Sequence, residues 1–246
     1  MSGIVKKYTR NGFKMLIITG TGRSGTKTLA EMFRGHHEFR ANYILDTYFL
    51  KTDLQADPFD SLEKRIQVIM DLHQGIDPGT FIDASNLYIH FIDAVYALNQ
   101  SVKFIFTVRN GKDFVRSAIS RNWHKQRLVG TIPFRNDPYF DMWDTLNPLQ
   151  RTAWIWNWRN KKALEGFRPV PDRQKLIVKL EQIQSTKVLD SLEMFTDMKL
   201  KDRGLSEKQF NANPSFSFPP KEQWTETQNY EFQTIAGEMM QFFGYT

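Results

Sequence analysis

The chain has no cysteine among its 246 residues, and it has no long hydrophobic run. The lack of cysteine excludes a disulfide scaffold, a thiolate zinc site, an iron–sulfur cluster and a cysteine nucleophile. The apolar runs, such as residues 15–18, are far shorter than the ~20 residues of a membrane-spanning helix and shorter than the apolar part of a secretory leader. These absences predict a cytoplasmic protein without a membrane span.

The composition is that of a globular protein, with 41% hydrophobic, 14% aromatic and 24% charged residues. The sequence shows no internal repeat, low-complexity tract or linker, so we expect residues 1–246 to form a single domain. The 33 Lys and Arg exceed the 27 Asp and Glu, which gives a formal net charge of +6. This excess favours an anionic partner, although a merely solvated basic surface has the same composition. Because the basic residues are scattered rather than clustered in runs, we expect no nucleic-acid partner.

Short apolar runs alternate along the chain with longer amphipathic stretches. The apolar runs predict buried strands at residues 13–19, 81–83, 102–108 and 175–180. The amphipathic stretches predict helices at residues 26–34, 60–73, 88–98, 149–165 and 225–243. Two further helices are predicted, one that begins near residue 112 and another that ends near residue 198. Strands separated by helices predict an α/β fold with a parallel sheet. Residues 130–148, rich in Pro, Asp, Asn and aromatics, predict a long surface excursion.

A glycine-rich loop, residues 20–28, lies between the first predicted strand and the first predicted helix. In this position, backbone N–H groups and a helix N-terminus can hold a phosphate, while glycines allow close approach and cations offset the charge. The candidate phosphate-binding residues are Gly22, Arg23, Ser24, Gly25, Thr26, Lys27 and Thr28.

The loop departs from the P-loop of nucleotide kinases, in which Lys directly follows the second glycine of the motif. Here Thr26 lies between Gly25 and Lys27, which displaces the lysine by one position on the first helical turn. An ATP- and magnesium-dependent small-molecule kinase is therefore the alternative interpretation. In that alternative, Asp83 is a second metal-binding carboxylate.

A second motif follows the clearest predicted strand, where residues 108–117 read VRNGKDFVRS. Arg109 ends the strand, and its guanidinium can donate two hydrogen bonds to a phosphate. Ser117 lies one turn beyond Asp113 on the following predicted helix and can present its hydroxyl to the same oxygens.

The two motifs together resemble those of the sulfotransferases that use 3′-phosphoadenosine 5′-phosphosulfate (PAPS), especially bacterial members. Residues 23–27, RSGTK, resemble the family's 5′-phosphosulfate loop, and Arg109 with Ser117 resembles its 3′-phosphate site. Weaker similarities are residues 179–181 with the family's R-Y-E-D strand end, residues 154–157 with its W-x-x-x-N helix, and residues 243–245 with a closing L-G-Y. The resemblance implies a three-layer α/β/α fold with a central parallel sheet, similar to the P-loop nucleoside triphosphate hydrolases.

The resemblance also implies a reaction. A sulfuryl group would pass from PAPS to a hydroxyl or amine by in-line displacement, with adenosine 3′,5′-bisphosphate as the product and without a metal. The candidates for stabilising charge on the leaving oxygens are Arg23 and Lys27. We expect a small-molecule or carbohydrate acceptor, although lipid and peptide hydroxyls also fit.

Two features of the family are missing. Cytosolic members have a K-T-H-L-P segment whose His is the general base, whereas residues 81–86 here read FIDASN. The candidate general bases are therefore Asp46, Asp83 and His124. The family's late basic loop, R-K-G, is also missing, and its candidate replacements are Arg203 with Gly204, and Lys208.

Overall fold

The computed structural model describes residues 14–33, 57–74, 80–204 and 215–245. Within these residues the chain forms four strands and seven α-helices. The strands are β1 (Lys14–Gly20), β2 (Thr80–Ala84), β3 (Lys103–Val108) and β4 (Lys175–Lys179). The helices are α1 (Thr26–Met32), α2 (Leu62–Leu72), α3 (Ile92–Leu98), α4 (Gly111–Ile119), α5 (Pro148–Gly166), α6 (Thr186–Thr196) and α7 (Glu226–Phe242). Each predicted strand and helix has a counterpart within the described residues, although the segment predicted as a helix at 88–98 is only partly α-helical.

The four strands form a parallel sheet in the order β2-β1-β3-β4. The central strands are fully buried at Ile17 and Ile18 in β1 and at residues 104–106 in β3. Parallel sheets are normally covered on both faces, which explains why these strands are continuous apolar runs. The prediction of an α/β fold with a parallel sheet is confirmed.

Helices cover both faces of this sheet. Since alternate residues of a strand point to opposite faces, neighbouring strand residues belong to different cores. Ile17 and Phe104 belong to the larger core, to which α2, α3, α4, α5 and α7 contribute. Ile18 and Ile105 belong to the smaller core, to which α1 and α6 contribute. This arrangement confirms the expected three-layer α/β/α fold.

Two segments differ from their predictions. The helix predicted at residues 88–98 is a 3-10 helix, Asn86–His90, followed by α3, and they are separated at Phe91, whose φ of −132° is not helical. The segment 130–148 is not wholly a surface excursion, because Ile132, Phe134 and Trp143 are buried in the larger core. Its aromatic side chains anchor the segment, while many of its polar residues remain exposed. Among the described helices, none has the length and apolar character needed to cross a bilayer.

The two sequence motifs begin at adjacent points of the sheet. β1 and β3 are neighbours, and Gly20 at the end of β1 pairs with Thr107 near the end of β3. The glycine loop and the second motif therefore leave the sheet at the same edge. The carboxyl edge of a parallel sheet is where α/β proteins usually bind ligands.

Candidate active site

The glycine loop turns sharply before α1. Gly22, Arg23 and Gly25 have positive φ angles of 83°, 54° and 85°. Arg23 is held in this left-handed conformation although a non-glycine residue there costs about 1–2 kcal/mol. Gly25 is the N-cap of α1, and no side chain caps the helix at this point. The loop therefore presents backbone N–H groups and the start of a helix, as anion-binding loops do.

The small polar side chains of the loop point inward, toward β3. The Ser24 hydroxyl lies 2.9 Å from Thr107 Oγ1, and the Thr26 hydroxyl lies 3.1 Å from the same atom. Thr107 in turn donates to the Thr19 carbonyl at 3.1 Å. A Cβ at Gly20 would clash with Thr107, so only glycine fits where β1 meets this cluster. These hydroxyls support the loop on the side that faces β3, and Ser24 is completely buried.

The two motifs are interlocked. Arg23 donates from Nε to the Ser117 hydroxyl at 3.1 Å, and Arg109 donates from Nη1 to the Arg23 carbonyl at 3.3 Å. Ser117 is buried, and Arg109 is partly buried. The structure thus places Arg23 in contact with both Arg109 and Ser117, although it lies more than 80 residues before them in the chain.

The backbone beneath Arg109 is fixed by three other parts of the chain. Trp156 Nε1 donates to the Arg109 carbonyl at 3.1 Å, and the Asn110 N–H donates to Glu181 Oε1 at 2.8 Å. The Tyr245 hydroxyl donates to Glu181 Oε2 at 2.9 Å. Burial, reinforced by the charge of Glu181, raises the pKa of Tyr245, so the hydroxyl remains a donor at neutral pH. Glu181 and Tyr245, which lie in the segments with weaker similarity to the family, thus help to fix the backbone of the second motif.

The site is electrostatically positive. Burial, with further contributions from Arg121 and Arg109, lowers the pKa of Arg23 from 12.5 to about 10. Burial also lowers the pKa of Arg109, and the nearby carboxylates of Asp113 and Glu181 oppose this shift. Both guanidiniums remain protonated at neutral pH. A bound anion would relieve the repulsion between the cations around Arg23.

The candidate bases fall in different environments. Asp46 lies outside the described residues. Asp83 is completely buried: its Oδ2 accepts from the Tyr88 hydroxyl at 2.6 Å, and its Oδ1 accepts from the Ala84 N–H at 2.7 Å. The same hydroxyl lies 3.0 Å from His73 Nε2, so Asp83 belongs to a buried polar network.

His124 is partly exposed, on the 3-10 helix Trp123–Lys125. Burial, followed by the charges of Lys125 and Arg151, lowers the pKa of His124 below 6.5. Its imidazole is therefore neutral at neutral pH and can accept a proton. Within the described part of the chain, its buried Nδ1 has no hydrogen-bond partner.

Of the expected replacements for the late basic loop, Arg203 is engaged away from the glycine loop. Arg203 forms ion pairs of 2.8 Å with Asp190 and Glu193 on α6, and hydrogen bonds from Arg203 and Lys199 lower the pKa of Glu193 to about 2. The nearby Lys201 N–H bonds to the carbonyl of Met32, at the end of α1 opposite the glycine loop. Arg203 is thus occupied elsewhere, and Lys208 lies outside the described residues.

Three further residues around the loop were not among the sequence predictions. Arg121 lies close enough to Arg23 to lower its pKa, and its position four residues after Ser117 was an available signal. Trp123 packs against Gly22, where a Cβ would clash with the indole. Arg159 of α5 donates to the Thr21 carbonyl at 3.1 Å. No local pattern points to the last two contacts, because both depend on tertiary packing.

Fold and site together define a three-layer α/β protein with an arginine-lined glycine loop. Similar solved structures are sulfotransferases. The sulfotransferase domain from the curacin biosynthetic pathway is 16% identical with a TM-score of 0.50, covering 96% of this chain and 98% of that one. The sulfotransferase domain from the olefin synthase of Synechococcus PCC 7002 is 17% identical with a TM-score of 0.50, covering 92% and 95%. A sulfotransferase from Mycobacterium avium is 12% identical with a TM-score of 0.52, covering 94% and 77%.

No family model matches the sequence, and the search of curated proteins found no similar sequence. At identities this low, structural similarity establishes the fold. The chain therefore has the sulfotransferase fold.

Proposed function

We propose that this protein is a PAPS-dependent sulfotransferase. The observation that supports this most strongly is the interlocked contact between Arg23, Arg109 and Ser117. It brings together the two positions that we propose bind anions, one at the glycine loop and one at the second motif. A nucleotide with phosphate groups at both its 5′ and 3′ positions matches that arrangement, and the fold is that of enzymes with this chemistry.

The two motifs divide the binding of the donor. We assign the 5′-phosphosulfate to the loop backbone at Gly22 and Gly25 and to the side chains of Arg23, Lys27 and Thr28. Thr26 and Ser24 contribute through their N–H groups, since their hydroxyls lie against Thr107. We assign the 3′-phosphate to Arg109 and Ser117.

The reaction is an in-line displacement at sulfur. The acceptor oxygen or nitrogen forms a bond to sulfur as the bond from sulfur to the 5′-phosphate oxygen breaks, and the electron pair stays on that oxygen of adenosine 3′,5′-bisphosphate. Arg23 and Lys27 stabilise the charge that grows there. The acceptor proton passes to a base, for which His124 has a neutral, partly exposed imidazole. Asp46 stays a prediction, and Asp83 is the weaker candidate because both of its oxygens already accept hydrogen bonds.

The kinase alternative explains less of the site. It requires Asp83 as a metal ligand, but that carboxylate is buried and engaged with Tyr88. It also assigns no role to Arg109 and Ser117. A non-enzymatic anion-binding protein would use the same cations, and only turnover separates it from an enzyme.

The test is group transfer from a labelled donor. The protein is incubated with PAPS labelled in its sulfuryl group and a panel of phenols, sugars and amines, and in parallel with γ-labelled ATP, magnesium and the same panel. We expect labelled product and adenosine 3′,5′-bisphosphate only in the first series. Transfer from ATP alone would favour the kinase, and donor binding without transfer would favour a binding protein.

A further inference from the structure

One buried cation lies directly behind the glycine loop. Arg159 is only 4% exposed, although it belongs to a residue type that is rarely buried. Its Nε donates to the Gly130 carbonyl at 3.1 Å, and its Nη1 donates to the Thr21 carbonyl at 3.1 Å. Its guanidinium lies 5.0 Å from the ring centroid of Trp123, and that ring also packs against Gly22. Arg159 thus joins the loop, the segment before Ile132 and the Trp-rich helix α5.

The burial of this charge is energetically unfavourable. Burial lowers the pKa of Arg159 from 12.5 to about 10, so the guanidinium remains charged at neutral pH. Both of its hydrogen bonds go to carbonyl oxygens, and no carboxylate of the described ranges forms an ion pair with it. A buried charge without an opposite charge is strongly destabilising in general. A purely structural link between two carbonyls would not need a permanent cation.

The position of Arg159 suggests what offsets this cost. In a planar trans peptide, the carbonyl and the following N–H point in opposite directions. By holding the Thr21 carbonyl, Arg159 therefore fixes the direction of the Gly22 N–H in the loop that we assign to the 5′-phosphosulfate. Its Nη1 also lies 3.4 Å from the point where a Gly22 Cβ would be, which places positive charge next to the loop.

We propose that Arg159 is a positioning residue for the 5′ end of the donor. It orients the Thr21–Gly22 peptide and supplies a buried positive charge behind the loop, and its own charge is compensated when the anion binds. This role rests on the proposed function, because it requires an anion in the glycine loop. It predicts that Arg159 affects the 5′-phosphate of a nucleotide but not the 3′-phosphate, which Arg109 and Ser117 bind.

The experiment compares two nucleotides that differ only at the 5′ position. Dissociation constants for adenosine 3′,5′-bisphosphate and adenosine 3′-monophosphate are measured by calorimetry for wild type, Arg159→Met, Arg159→Lys and the exposed control Arg168→Met. We expect Arg159→Met to weaken bisphosphate binding roughly tenfold or more, as for loss of a charged hydrogen-bond partner. Arg159→Lys should weaken it less, and the monophosphate should bind all four proteins alike.

The outcomes separate this role from the proposed function. Wild-type protein that binds neither nucleotide would overturn both. The positioning role alone would be overturned in two cases, both with normal binding by the wild-type protein. In the first, Arg159→Met binds the bisphosphate with unchanged affinity; in the second, Arg159→Met binds both nucleotides equally more weakly. If circular dichroism shows that Arg159→Met does not fold, Arg159→Lys decides the same comparison, because it keeps the charge and loses the forked geometry.

Discussion

The glycine loop and the second motif lie side by side, but we assign ligand binding to the backbone in the loop and to the side chains in the second motif. In the loop, the hydroxyls of Ser24 and Thr26 point inward to Thr107, and we assign anion binding to the backbone of the turn. In the second motif, the backbone is engaged by Trp156 and Glu181. There the side chains of Arg109 and Ser117 face the neighbouring loop.

This difference explains why the two motifs have different sequence requirements. A loop that binds through its backbone depends on glycine, on positive φ angles and on a rigid support. A turn that binds through side chains depends on the identity of those side chains and on a fixed backbone beneath them. Substitutions in the two regions should therefore have distinguishable effects on turnover, affinity and stability.

The largest effect is expected at Arg23, whose side chain contacts Ser117 of the second motif. Arg23→Gly and Arg23→Ala both remove the cation, but only glycine adopts the φ of 54° without strain. Steady-state kinetics should show turnover reduced about a hundredfold or more in both, as for loss of an oxyanion donor. Stability should be lower in Arg23→Ala than in Arg23→Gly. Near-normal turnover at saturating PAPS in Arg23→Gly would assign the catalytic charge to Lys27 instead.

The next effect is expected at Arg109. Its loss removes a charge-assisted contact made in both the ground state and the transition state, worth roughly 1.5–3 kcal/mol. Arg109→Ala should therefore raise KM for PAPS about tenfold to a hundredfold and change turnover much less. Arg168→Ala, on an exposed residue, is the control. A fall in turnover with unchanged KM would show that Arg109 acts on the reacting end rather than on the 3′-phosphate.

The pH dependence should separate binding from chemistry. The pKa of Arg23 is about 10, and burial lowers the pKa of Arg109 from 12.5, so the protein's part in donor binding should be lost as pH rises toward 10. Below about pH 7 the donor binds more weakly because its own 3′-phosphate, whose second pKa is about 6, becomes protonated. The pKa of His124 lies below 6.5, so a base at His124 is active above that pKa and is lost as pH falls through it. Rate profiles at saturating PAPS should show kcat falling on the acid side, separately from the rise in KM that protonation of the 3′-phosphate causes. An unchanged acid limb in His124→Ala would exclude His124 as the base and favour Asp46.

The smallest effects are expected for a pair of serines, one from each region. Ser24→Ala removes the buried contact with Thr107 and should reduce the free energy of unfolding by about 1 kcal/mol, with little change in nucleotide affinity. Ser117→Ala should weaken adenosine 3′,5′-bisphosphate by a few-fold, with a similar loss of stability. Urea titration and calorimetry measure the two quantities. A larger affinity loss in Ser24→Ala than in Ser117→Ala would contradict the division between backbone and side-chain binding.

The elements of the fold that sequence analysis predicted are those with a local cause. Apolar runs specified the strands, and the caps at Asn147 and Thr225 agree with the predicted starts of two long helices. The two motifs could be located because each directly follows a strand. The convergence of Arg23 with Ser117 then follows from the adjacent positions of β1 and β3.

The features that were not predicted depend on packing between distant parts of the chain. Arg159 lies in a helix that contains three tryptophans, and nothing local indicates which side of the helix faces the loop. The inward turn of Ser24 toward Thr107 follows from the tight approach at Gly20. The anchoring of residues 130–148 by Phe134 and Trp143 likewise required knowledge of the core they enter.

The central claim is that the two motifs form a single site for a nucleotide phosphorylated at both the 5′ and 3′ positions. The most direct measurement is the thermal shift of the wild-type protein with adenosine 3′,5′-bisphosphate and with 5′-AMP, both in large excess and without magnesium. We predict stabilisation by about a few kcal/mol with the bisphosphate and much less with 5′-AMP, because only the former contacts Arg109 and Ser117. Equal shifts with the two nucleotides would contradict this account.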